Sequence, residues 1–104
     1  MVIIETEVFT ELVTELMDDD EYSALQKYMA ANPKSGDVIQ GTGGVRKLRW
    51  SHDKKGKRGG VRVIYYHADA LHQLRMLLVY KKGEADDLTD SQKKALKKVV
   101  ENWD

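Results

Sequence analysis

The pattern of apolar and polar positions divides the chain into a helical first third, a strand-rich middle and a helical end. Residues 2–4 (Val-Ile-Ile) predict a short first strand. Phe9, Leu12, Val13, Leu16 and Met17 then recur at the three-and-four spacing of one helix face, with Thr6 as N-cap. The run Asp18-Asp19-Asp20 ends that helix and offers caps for a second, whose inner stripe is Tyr22, Leu25, Tyr28 and Met29. Asn32-Pro33 stops the second helix, because proline disfavours a helical residue before it. Residues 34–44 include four glycines and predict a loop.

From there the period changes to two. Residues 45–51, 61–67 and 74–80 are rich in β-branched, aromatic and aliphatic side chains and predict three strands. A Lys/Gly-rich loop joins the first two and a short turn joins the last two, which favours an antiparallel meander. Strict alternation places Arg62, Ile64 and Tyr66 on one side, and Leu74, Met76, Leu78, Tyr80 and Lys82 together on one side of the last strand. One sheet face then packs on the helices. The other is expected to be an open, concave surface carrying Arg62, aromatic rings and strand-end lysines.

The last segment, 88–103, opens with a Thr89…Gln92 capping box and places Ala95, Leu96, Val99, Val100 and Trp103 on one face. The expected fold is α+β, with an antiparallel sheet packed against helices on one face and element order β-α-α-β-β-β-α. One domain is expected over residues 1–104.

Composition narrows the function classes. With 41% apolar and 33% charged residues the chain reads as globular, not disordered. There is no cysteine, so disulfides and thiolate metal sites are excluded. No secretory leader pattern and no bilayer-length apolar run is visible, so a cytoplasmic location is expected.

The net charge of zero conceals an asymmetry. Residues 1–22 hold eight acids and no Lys or Arg. Residues 46–62 hold eight bases (Arg46, Lys47, Arg49, Lys54, Lys55, Lys57, Arg58, Arg62) against Asp53, a local charge of +7. Such a segment attracts a polyanion, and its bases flank strands instead of forming a tail. A merely solvated loop is the ordinary alternative. The acids of the first helix read as a solvated face turned away from any polyanion, or as a contact for a basic partner segment.

A basic surface with aromatics suits RNA, since cations neutralise phosphates and ring or guanidinium planes stack on splayed bases. Cleavage adds three needs: the ribose 2′-OH must lose a proton, the phosphate gains charge, and the leaving 5′-oxygen must be protonated. Arg62 is the natural stabiliser of the charged phosphorane, because its planar fork stays protonated and binds two oxygens. Its ordinary alternative is a salt bridge to one of the acids. A lysine crowded by like charges can act as acid or base nearer neutral pH, which brings in Lys54, Lys55, Lys57 and Lys82. This chemistry requires no metal or other cofactor.

Competing constellations are weak. His52, His67 and His72 lack metal-ligand spacing, although His52 sits in the basic loop where it can meet RNA. Glu84, Asp86 and Asp87 fit the N-terminal end of a helix better than a cation site. Gly41, Gly43 and Gly44 form neither a Walker loop nor a dinucleotide fingerprint. Trp50 and Trp103 are expected in the core or an interface.

The stretches NPKSGDVIQGTGGVRKLRW, KGKRGGVRVIYY and LLVYKKGEADDLTDSQ together resemble the HigB branch of the RelE/ParE toxin superfamily, from about Phe9 to the last helix. The resemblance implies a microbial-RNase fold and cleavage of translated mRNA in the ribosomal A site. It also implies neutralisation by a HigA-like antitoxin with a helix-turn-helix domain, so that DNA is met only through that partner. Residue by residue it gives Arg62 as the strand arginine, with Lys82, Lys57, Lys55 and Tyr80 as further catalytic candidates. Lys54, Arg58 and Lys81 follow as RNA-binding residues, joined by Arg46, Lys47, Arg49 and His52 from the basic segment itself, and Tyr65 is a weaker candidate. The catalytic tyrosine that RelE-type members carry on the final helix has no counterpart in 88–103. A ParE-like gyrase poison and a non-catalytic RNA- or ribosome-binding module are the alternative readings.

Overall fold

Three helix caps are set by side chains in the sequence-predicted places. Thr6 Oγ1 accepts from the Phe9 N–H at 3.1 Å, and Asp18 Oδ1 accepts from the Glu21 N–H at 2.8 Å. Thr89 and Gln92 satisfy each other's backbone N–H at 3.1 and 2.9 Å. In the computed structural model, which describes residues 1–51, 60–84 and 88–103, these caps open α1 (Glu7–Leu16), α2 (Asp19–Ala31) and α3 (Asp90–Glu101). The strands are β1 (Val2–Glu5), β2 (Asp37–Val38), β3 (Arg46–Trp50), β4 (Val61–Ala68) and β5 (Gln73–Lys81). The class is α+β, as expected, with the two-residue β2 added inside the predicted loop. A two-residue strand is too short to leave a periodic signal.

Among the described residues the sheet order is β1-β5-β4-β3-β2. The β3-β4-β5 meander is antiparallel, as its short connections require. The sheet as a whole is mixed, because β1 pairs with β5 in parallel, Val2 opposite Gln73 through Glu5 opposite Met76. The strand after β1 lies beyond two helices, so β1 closes no hairpin and instead covers the outer edge of β5.

The expectation of helices on one face is corrected. Phe9, Val13 and Met17 of α1 with Leu25 and Met29 of α2 pack against Leu48, Val63, Tyr65, Leu74, Met76 and Val79. On the opposite face α3 packs Leu96, Val100 and Trp103 against Val45, Ile64, Leu77 and Tyr66. The second face is itself apolar, so leaving it open would expose that surface to water. The inner stripe of α2 is also narrower than expected. Leu25 and Met29 are buried, Tyr22 is half-buried and Tyr28 is 40% exposed, with its ring 5.3 Å from that of Trp50.

One irregularity changes which side chains share a face. Ile64 stands opposite Leu78 but Tyr65 stands opposite Met76, so Leu77 is the extra residue of a β-bulge. Leu74 and Met76 join the α1/α2 core, whereas Leu77, Leu78 and Tyr80 join the α3 side. The unbroken stripe Leu74-Met76-Leu78-Tyr80 expected from alternation therefore splits at Leu77.

Among the described residues no helix is long and apolar enough to cross a membrane.

Candidate nucleic-acid interface

Strand register brings the strongest candidates together. Arg49 of β3, Arg62 of β4 and Tyr80 of β5 are directly opposite in adjacent strands and form one transverse row. Lys47 stands in the next row, opposite Ile64, on the same face. That is the face against which α3 docks, where Leu96, Val100 and Trp103 share a cluster with Tyr66 and Leu78. Arg62 is half-buried, so its mid-strand charge is only partly withdrawn from water. Its Nη1 donates to the Val61 carbonyl at 3.4 Å. Tyr80 and Lys47 are also half-buried, and Arg49 is exposed.

Lys82 follows the end of β5 and is exposed, with its backbone N–H donating to the Gly60 carbonyl at 3.2 Å. Gly60 holds φ at +53°, and a Cβ there would lie 2.0 Å from the Trp50 carbonyl oxygen. Only glycine fits where the basic loop rejoins the sheet. His52, Lys54, Lys55, Lys57 and Arg58 lie outside the described residues.

Several sequence candidates stand elsewhere. Arg46 pairs with Tyr65, on the α1/α2 face, and its Nη1 donates to the carbonyls of Gly36 (2.8 Å) and Lys34 (3.2 Å). It ties down the loop that leads into β2. Lys81 pairs with Val61 and so also belongs to the face away from Arg62. Tyr65 is fully buried, with its hydroxyl accepting from the Gly36 N–H at 3.0 Å and donating to the Pro33 carbonyl at 2.8 Å. That is a structural role. His67 lies on the same face as Tyr65, with Nε2 3.8 Å from the Asp69 carboxylate, and His72 is an exposed turn residue at φ +52°.

Two features escaped the sequence reading. Arg75, not Arg62, is the buried arginine of the sheet, 7% exposed. Its guanidinium lies 4.8 Å from the Trp103 ring centroid and 5.8 Å from that of Tyr66, and it donates twice to Gln73 Oε1 at 3.1 and 3.2 Å. The Tyr66–Arg75 cross-strand pair thus anchors the end of α3 by cation–π contact. The second is the set of lysines on α3, which becomes part of this face only once α3 is placed over the sheet. Lysines beside an apolar helical stripe were the available signal. Among the described residues no group of three or more His, Cys, Asp and Glu is placed to hold a metal ion.

The row can bind a polyphosphate chain, stack a base on Tyr80 and offer a guanidinium to a phosphate that gains charge. No protein-family model matches the chain. Its fold is similar to that of a chain of the intact E. coli RelBE toxin–antitoxin complex, at 14% sequence identity and a TM-score of 0.59, with 80% of this chain and 98% of that chain covered. The architecture is RelE-like.

Proposed function

We propose that this protein is the toxin of a type II toxin–antitoxin pair, a metal-independent endoribonuclease of the HigB type that cleaves mRNA on translating ribosomes. The observation that carries the reading is the Arg49–Arg62–Tyr80 row on the α3 face of the sheet. A RelE-like fold that also occurs in a toxin–antitoxin complex supports it.

In the proposed reaction the 2′-hydroxyl loses its proton and its oxygen attacks the neighbouring phosphorus. Arg62, flanked by Arg49, stabilises the phosphorane dianion with its charge and paired N–H donors. The bond from phosphorus to the 5′-oxygen then breaks, and that oxygen takes up a proton. Lys82 and Tyr80, at the end of β5 beside Arg62, supply the proton traffic, together with Lys55 and Lys57 of the basic loop. Lys47 and Arg49 hold flanking phosphates, with Lys54, Arg58 and His52 extending the RNA contact. The ribosome orients the message, which substitutes for much of the positioning that a self-sufficient nuclease must build. A HigA-like antitoxin silences the enzyme in the resting cell.

Pure protein added to translating ribosomes should yield messages cut at the decoding position, mapped by primer extension. A message that lacks a start codon should stay whole. Equal cleavage of both would remove the ribosome from the mechanism. Intact messages accompanied by stalled gyrase would select a topoisomerase poison, and binding without cut ends would select a non-catalytic module.

A further inference from the structure

We propose that Lys93 and Lys97 of α3 are phosphate-binding residues, the second wall of an RNA cleft whose floor is Lys47, Arg49 and Arg62. The inference rests on the RNA reading above and adds a binding wall to it. Helical geometry sorts α3 into three flanks. Leu96, Val100 and Trp103 pack on the sheet. Leu88, Gln92, Ala95 and Val99 turn to one side, where they line an apolar hollow with Leu78. Lys93 and Lys97 occupy the other side, and Lys94 and Lys98 point away from the sheet.

A contact fixes which side that is. A Cβ on Gly43 would stand 3.6 Å from Lys97 Cγ, so the stem of Lys97 lies beside the turn that leads into β3. The lysine flank therefore faces the strand that carries Lys47 and Arg49. The direction of α3 follows from its two ends. Leu88 and Gln92 border Tyr80, and Trp103 covers Arg75 at the far end of the sheet. Lys93 accordingly lies four residues, about 6 Å along the helix axis, closer to the Arg62–Tyr80 row than Lys97. That step is close to the spacing of successive phosphates along an extended strand. Lys93 is half-buried, so its stem packs while its ammonium reaches out.

Cations outnumber acids on this face, Lys47, Arg49, Arg62, Lys93 and Lys97 against Asp37, Asp90 and Glu101. Asp37 stands opposite Lys47, and Asp90 and Glu101 lie near the two ends of the lysine flank. Among the described residues no ion pair within 4 Å joins Lys93 or Lys97 to an acid. A cationic track of this shape, with Tyr80 at its end for a base to stack on, fits a single RNA strand better than an acidic peptide.

The test compares two double variants of equal charge. Lys93→Gln with Lys97→Gln removes the wall, and Lys94→Gln with Lys98→Gln removes the outward pair. A fluorescent 2′-O-methyl oligoribonucleotide, which cannot be cut, is titrated across salt concentrations. The slope of log affinity against log salt should fall by about 1.4 for the wall variant, two contacts at about 0.7 each. It should change little for the outward variant, and circular dichroism should show both helices intact. Equal losses in both variants would mean a diffuse field and overturn the wall, as would an undiminished slope in the wall variant. Displacement of the RNA by polyglutamate at matched charge would assign the cleft to an acidic protein and also overturn it. If Arg62→Ala weakens binding while the wall variant does not, the wall falls and the RNA reading survives. If the unaltered protein does not bind the strand, both fall.

Discussion

The Thr6 hydroxyl donates a hydrogen bond of 3.0 Å to the carbonyl of Leu77, the extra residue of the bulge in β5. The same oxygen accepts from the Phe9 N–H at the start of α1, and the Thr6 N–H donates to the Met76 carbonyl at 3.0 Å. One side chain thus caps a helix and satisfies a carbonyl that the sheet ladder leaves out. It also secures the place where β5 exchanges its faces, and with it the placement of Tyr80 beside Arg62.

Replacing Thr6 should therefore cost more than an ordinary cap. Thr6→Val keeps the shape and removes both bonds, and about 1–3 kcal/mol of stability should be lost. Urea unfolding measures it, and an unchanged midpoint would show that the bulge is held by packing instead.

Tyr22 makes the fold sensitive to alkali. Burial, then the hydrogen bond to Glu5 and the charge of that carboxylate, hold its phenol well above the ordinary tyrosine range. The folded state retains the proton more tightly than the unfolded chain. This stabilisation is complete below pH ~10 and is lost as pH rises beyond that value. Tyr22→Phe should cost about 1–2 kcal/mol at neutral pH, a figure kept low because the pair is half open to solvent. Glu5 retains the Thr10 hydroxyl at 2.7 Å. The stability of the variant should also decline less steeply in alkali, and parallel pH curves for the two proteins would contradict the assignment.

Trp103 should govern the docking of α3. Its ring lies over the Arg75 guanidinium and packs with Leu96 and Val100. Trp103→Ala should lose about 1–3 kcal/mol, and the amides of α3 should exchange faster than those of β4 and β5. Uniform acceleration across the sheet and the helix would indicate global destabilisation rather than release of one element.

On the proposed function, Arg62→Lys keeps the charge but not the paired donors. Cleavage on ribosomes should drop by about 10²–10³-fold, while the free energy of unfolding should change by no more than about 0.5 kcal/mol. Substantial activity in this variant would show that charge suffices and that bidentate geometry plays no part.

The sequence by itself determined what is local. Caps at Thr6, Asp18 and Thr89, the stop before Pro33 and the β3-β4-β5 meander follow from side chains that act on their own neighbourhood. The identity of Arg62 as a strand residue was equally legible. Tertiary structure decided what depends on pairing and burial between distant segments. The bulge at Leu77 breaks the alternation on which the face assignment rested, because a period of two holds only while register is kept. β1 runs parallel to β5, and β2 exists only through its pairing with β3. Strand pairing puts Arg46 and Lys81 on the face away from the Arg62 row, and placing α3 on the second face turns the Lys93–Lys97 flank toward that row. A helical stripe shows that one side of α3 must be buried, but the sheet face that receives it is chosen by the apolar surface of Val45, Ile64 and Leu77, which exists only once the strands have paired.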